Sequence, residues 1–96
     1  EADSLVAAAT RQADTIRATA RQLADKARQD ANVRIDSLVA KATNPIAKIA
    51  AQKAGDKLRS DADQQATKLV RAADTRADSL VSQAKQKAAA LAPPPK

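Results

Sequence analysis

The sequence predicts an all-α fold of long Ala-rich helices with an 11-residue (hendecad) periodicity, arranged as an antiparallel helical hairpin with a short connecting helix. Three observations lead there. Alanine supplies 26 of the 42 residues counted as hydrophobic, small or apolar residues recur with spacings of 4, 4 and 3, and an Asn-Pro pair and the single glycine interrupt the pattern near the middle. Alanine is the strongest helix former because it loses no side-chain entropy on ordering, so helix is the cheapest ordered state for this composition.

The first array contains the blocks Ala2-Asp3-Ser4-Leu5-Val6, Ala13-Asp14-Thr15-Ile16-Arg17, Ala24-Asp25-Lys26-Ala27-Arg28 and Ile35-Asp36-Ser37-Leu38-Val39, each 11 residues after the last. Its stripe runs Leu5, Ala9, Ala13, Ile16, Ala20, Ala24, Ala27, Ala31, Ile35, Leu38, Ala42. A strand needs alternation and a heptad seam needs spacings of 3 and 4 alone, so both fit worse. Eleven residues in three turns is about 3.67 per turn, which predicts helices that are nearly straight or supercoil slightly right-handed. A first helix is expected over roughly 3 to 42.

The second array contains Gly55-Asp56-Lys57-Leu58-Arg59, Ala66-Thr67-Lys68-Leu69-Val70 and Ala77-Asp78-Ser79-Leu80-Val81, and ends at Leu91. It is offset from the first by two residues, since Ile46 to Gly55 is nine rather than eleven. At about 100° per residue, nine residues turn the stripe to the opposite side, so one straight helix would carry two faces. Thr43 or Asn44 suits an N-cap, Pro45 the first helical position, and Gly55-Asp56 a C-cap followed by a new N-cap. The expected connecting helix is therefore 45 to 53, and the last helix 56 to 91.

Pro93, Pro94 and Pro95 stop that helix, so the chain divides into a single helical domain over 1 to 92 and an exposed Pro-rich tail over 93 to 96.

A fold-back centred near Ile49 pairs Leu5 with Leu91, Ile16 with Leu80, Ala27 with Leu69 and Leu38 with Leu58. A turn at Asn44-Pro45 favours Leu5 against Leu80, and one at Gly55 favours Ile16 against Leu91. The expected packing seam is Leu5, Ile16, Ala27, Leu38, Ile49, Leu58, Leu69, Leu80 and Leu91. Along the surface, Asp14 with Arg17, Asp25 with Arg28, Asp30 with Arg34 and Asp56 with Arg59 are spaced to pair, each worth a few tenths of a kcal/mol.

The residue inventory argues against catalysis. There is no Cys, His, Phe, Trp, Tyr or Met, which removes thiolate nucleophiles, disulfides, the commonest metal ligand and the usual proton shuttle near neutral pH. Asp61 with Asp63 and Asp74 with Asp78 are the only carboxylate pairs to weigh. No bulky residues surround them to desolvate a carboxyl and raise its pKa, as general acid work requires, so solvated helix surface is the better reading. Ser4, Ser37, Ser60, Ser79 and Ser82 lie in no nucleophile motif, and one glycine cannot build a phosphate loop. No catalytic, cofactor-binding or metal-binding residue is assigned, and no small-molecule substrate is expected.

A net charge of +6 and a pI near 10.1 favour anionic surroundings. Acidic and basic residues interleave over most of the length and no aromatic ring offers a stacking platform, so specific nucleic-acid binding is not expected. The partner expected is another copy of the chain or a different helical protein. The Leu-Val doublets at 5-6, 38-39, 69-70 and 80-81 widen the stripe as lipid adsorption would need, which leaves peripheral membrane contact as the lesser reading. No apolar run reaches the length of a membrane span. The chain opens at Glu1 without an initiator Met, as a fragment or a processed form would, and an exported or periplasmic location is the expectation.

The stretch Ala77-Asp78-Ser79-Leu80-Val81-Ser82-Gln83-Ala84-Lys85 resembles the stalk of the b subunit of rotary ATP synthases, whose repeats form a right-handed helical pair. Ala50-Ala51-Gln52-Lys53-Ala54-Gly55-Asp56-Lys57 is similar to the 11-mer of group 3 late-embryogenesis-abundant proteins, which turn helical on drying. Asn44-Pro45-Ile46-Ala47-Lys48-Ile49-Ala50, set between two such arrays, resembles Ala-rich segments of uncharacterised cell-envelope proteins of Bacteroidota, a likeness that covers most of the chain and implies no activity. The function expected is that of a non-enzymatic structural protein, a helical rod or spacer that associates through its Ala and Leu seam. The alternative is an amphipathic, surface-active or protective protein that folds on lipid or on drying.

Overall fold

The helix signals lie close to the ends that form. In a computed structural model, which describes residues 1–91, α1 spans Ala2–Lys41 and α2 spans Pro45–Leu91, and the two form an all-α helical hairpin. Asp3 in the first turn and Lys41 in the last complement the dipole of α1. The end of α1 tightens through a bond from the Ala42 amide to the Val39 carbonyl at 3.2 Å, an i to i−3 closure common at helix ends.

Asn44 is the N-cap of α2. Its side-chain Oδ1 accepts the Ala47 amide at 2.8 Å and its carbonyl accepts the Lys48 amide at 2.9 Å. Proline disfavours the helical region for the residue before it, which holds Asn44 out of the helix, and Pro45 at the first position has no amide to leave unpaired. A cap of this kind contributes about 1 kcal/mol.

The expected break at Gly55 does not occur. The segment 45 to 53 is the start of α2, not a separate connecting helix, and the described residues form two helices where three were expected. Gly55 has no positive φ and is buried. A Cβ built on it would lie 3.0 Å from Ile35 Cγ2 and 3.4 Å from Cγ1. The glycine makes room for a side chain of the opposite helix and does not end its own. A lone glycine inside a helix costs about 1 kcal/mol relative to alanine, and the close approach of Ile35 offsets that cost here.

The two-residue offset resolves the same way. The buried or half-buried residues of early α2 are Ala47, Ala51, Gly55 and Leu58. Ile46 and Ile49, which continue the phase of the first array, fall outside that line at 82% and 55% exposure.

Contacts between the helices gather in two units. One joins Glu1–Ala20 to the part of α2 from Val70 onward, and the other comprises Arg21–Leu69. In each unit the floor is alanine: Ala9, Ala13, Ala20, Ala73, Ala77 and Ala84 in the first, and Ala24, Ala31, Ala51, Ala62 and Ala66 with Ile35 in the second. Among the described residues no polar side chain is buried and no large side chain is fully buried. Small side chains let two helix backbones approach closely, at the expense of apolar area removed from water. The Pro-rich tail expected over 93 to 96 lies outside the described residues.

Candidate interaction surface

Successive residues on a helix point about 100° apart, so Ile16 and Arg17 leave the buried line of Ala13 and Ala20 on opposite sides. In the first unit this creates two unlike edges.

The Arg17 edge is ionic. Its guanidinium reaches across to α2, with Nη2 at 2.5 Å from Asp78 Oδ1 and Nε at 3.4 Å from Asp74 Oδ1, while Nη1 lies 3.8 Å from Asp14 on its own helix. The second unit repeats the device 11 residues along α1. There Arg28 Nε donates to Asp63 Oδ1 at 3.2 Å, and Nη1 stands 3.7 Å from Asp25. Arg17 grips two carboxylates across the hairpin and Arg28 one, because the position equivalent to Asp78 is Thr67.

Three of the four pairs expected along the surface are present: Asp14 with Arg17, Asp25 with Arg28, and Asp56 with Arg59 at 3.9 Å. The fourth, Asp30 with Arg34, is not formed among the described residues. The cross-helix pairs were not anticipated, yet the repeat carried their signal, since Arg17 and Arg28 are one period apart and so are Asp63 and Asp74. These contacts also give a place to Asp74 and Asp78, one of the two carboxylate pairs weighed for catalysis: both hold a guanidinium at the surface.

Exposed ion pairs contribute about 0.2 to 1 kcal/mol each and weaken with salt. Arg17 is the stronger anchor because its side chain is only 30% exposed, so its aliphatic stem also packs. Arg17→Ala should lower stability by about 1 to 2 kcal/mol and Arg28→Ala by less than 1. Urea denaturation at low and high salt checks this, and equal losses for the two variants would count against the anchoring role.

The Ile16 edge carries the larger aliphatic side chains. Leu5 and Leu91 line one open depression with Ala8, and Ile16 and Leu80 line another whose rim is Gln12, Thr15, Arg11 and Arg76. A fold-back centred near Ile49 would set these residues directly opposite one another, but the turn lies at 42 to 44 and the direct contacts give another register. The facing contacts of Ile35 with Gly55 and of Arg28 with Asp63 place the residue numbers of opposed positions at totals of 90 and 91. That is midway between the totals for a fold-back at Ile49 and for a turn at Asn44-Pro45.

In the second unit, Ala27 and Leu58 are half-buried, and Leu38 and Leu69 stand at the margin, more than a third exposed. The expected seam thus lies beside the alanine floor, with Leu5 and Leu91 at 37% and 59% exposure and Ile49 outside it. The deepest positions are Ala13, Ala66 and Ala77, each fully buried.

Among the described residues no group of three or more His, Cys, Asp or Glu is placed to hold a metal ion, and no helix is long and apolar enough to cross a membrane. No family model, curated protein or solved structure matches the chain.

Proposed function

We propose that this chain is a non-enzymatic structural or interaction element, a helical spacer that associates with a second copy or another helical protein through its Ala and Leu edge. The observation that carries this reading is that the buried floor of each unit is almost wholly alanine, while Leu5, Leu38, Leu69 and Leu91 beside it stay more than a third exposed.

The asymmetry of the two edges supports the same reading. In the first unit one edge is bridged by Arg17 to Asp74 and Asp78, while the other carries Leu5, Ile16, Leu80 and Leu91 beside Arg11 and Arg76, with no ion pair across it among the described residues. The 4, 4, 3 spacing of the buried and half-buried apolar positions along α1, from Ala9 to Ala31, supports a hendecad seam of the kind that long helical pairs use.

Sedimentation and thermal melting followed by far-UV circular dichroism, over about a hundredfold range of concentration, test the proposal, because a species that associates only when folded melts at a temperature that rises with concentration. The expected outcome is such a rise for the native chain, with Leu5→Ser/Leu91→Ser abolishing it while helicity at low concentration is retained. A monomer whose melting point ignores concentration would refute self-association, and would leave a different helical protein as the partner to seek.

A further inference from the structure

We infer that the turn end of the hairpin is a contact site for an anionic lipid surface. Ile46 and Ile49 are three residues apart on the first turns of α2, hence on one face, and at 82% and 55% exposure they contribute little to the hairpin's own packing. Lys53 follows Ile49 by four residues and shares that face. From Ser37 to Gly55 the sequence holds Lys41, Lys48 and Lys53 and no acidic residue, although Asp interleaves with Lys and Arg on either side of this stretch. The chain thus concentrates unpaired positive charge where it leaves its most exposed isoleucine.

Charge decides the occupant. A second copy seated on this end of the hairpin would bring two sets of three lysines together, Lys53 on the isoleucine face and Lys41 and Lys48 beside it, with no carboxylate in the stretch from Ser37 to Gly55. A bilayer carrying anionic headgroups attracts each lysine, while the long lysine stems let the ammonium groups stay at headgroup level as the isoleucines enter the interface. The contact is peripheral, since no described helix can span a membrane. It does not depend on the Leu edge.

Co-sedimentation of the full chain with vesicles of phosphatidylcholine, with and without phosphatidylserine, tests the inference. Binding is expected only with phosphatidylserine, to fall with added salt, and to drop by at least about tenfold in Ile46→Ser/Ile49→Ser and in Lys48→Glu/Lys53→Glu. Unchanged far-UV circular dichroism of the isoleucine variant, whose replaced side chains are exposed, would show that it still folds.

Leu5→Ser/Leu91→Ser should bind vesicles as the native chain does, which separates this site from self-association; an equal loss there would overturn the inference. So would absent binding, equal binding to phosphatidylcholine alone, or full binding by the isoleucine variant. Soluble polyglutamate captured through the same residues in place of vesicles would also overturn it, in favour of an acidic protein partner.

Discussion

Ala66→Asp is expected to abolish the folded hairpin in plain buffer. Ala66 is fully buried, on a floor where the described residues bury no polar side chain that could receive a carboxylate. An unpaired buried charge costs on the order of 3 to 5 kcal/mol, comparable with the whole stability available to a small domain. Ala72→Asp provides the contrast. Ala72 is exposed and Arg76 stands four residues on, so the cost is the difference in helix propensity, about 0.5 kcal/mol, less a small gain from that pair. Far-UV circular dichroism with urea titration separates the two variants. Similar stability for both would mean that Ala66 does not face the opposing helix.

The second large effect concerns Gly55. Gly55→Val should lower stability by about 2 kcal/mol, because the new atoms meet Ile35 and overpacking of a close contact costs roughly 1 to 3 kcal/mol. Ile35 cannot easily turn aside, since a β-branched side chain in a helix has essentially one comfortable χ1 rotamer. Shortening the partner should relieve the clash, so Ile35→Ala/Gly55→Val should be more stable than the sum of the single variants predicts by about 1 kcal/mol or more. Additive effects in that double-mutant cycle would show that the glycine serves its own helix and not the approach of the other.

Gly55 also shows where reading the chain reached its limit. A glycine followed by aspartate, two residues out of phase with the array before it, has the local form of a helix end, and no local feature distinguishes that from a glycine placed for packing. The difference is made by Ile35, 20 residues away in sequence. The same contact explains Ile46 and Ile49: once α2 runs unbroken through Gly55, the buried line passes through Ala47 and Ala51, and both isoleucines are left outside.

The sequence by itself determined what depends on periodicity and local propensity. Alanine content and the 4, 4, 3 spacing specify helix and the face it buries, and from Ala9 to Ala31 the positions of α1 expected in the stripe are buried or half-buried. Asn44 and Pro45 specify the start of α2 through the cap and the missing amide. Tertiary structure decided what depends on the distance between the helices and on their register. An alanine floor draws the backbones close enough to push leucine to the margins, lets Arg17 reach Asp74 and Asp78 across the gap, and gives Gly55 its purpose. Two arrays of equal period can slide past each other in whole repeats without losing their stripes, so only the contacts between them select the register.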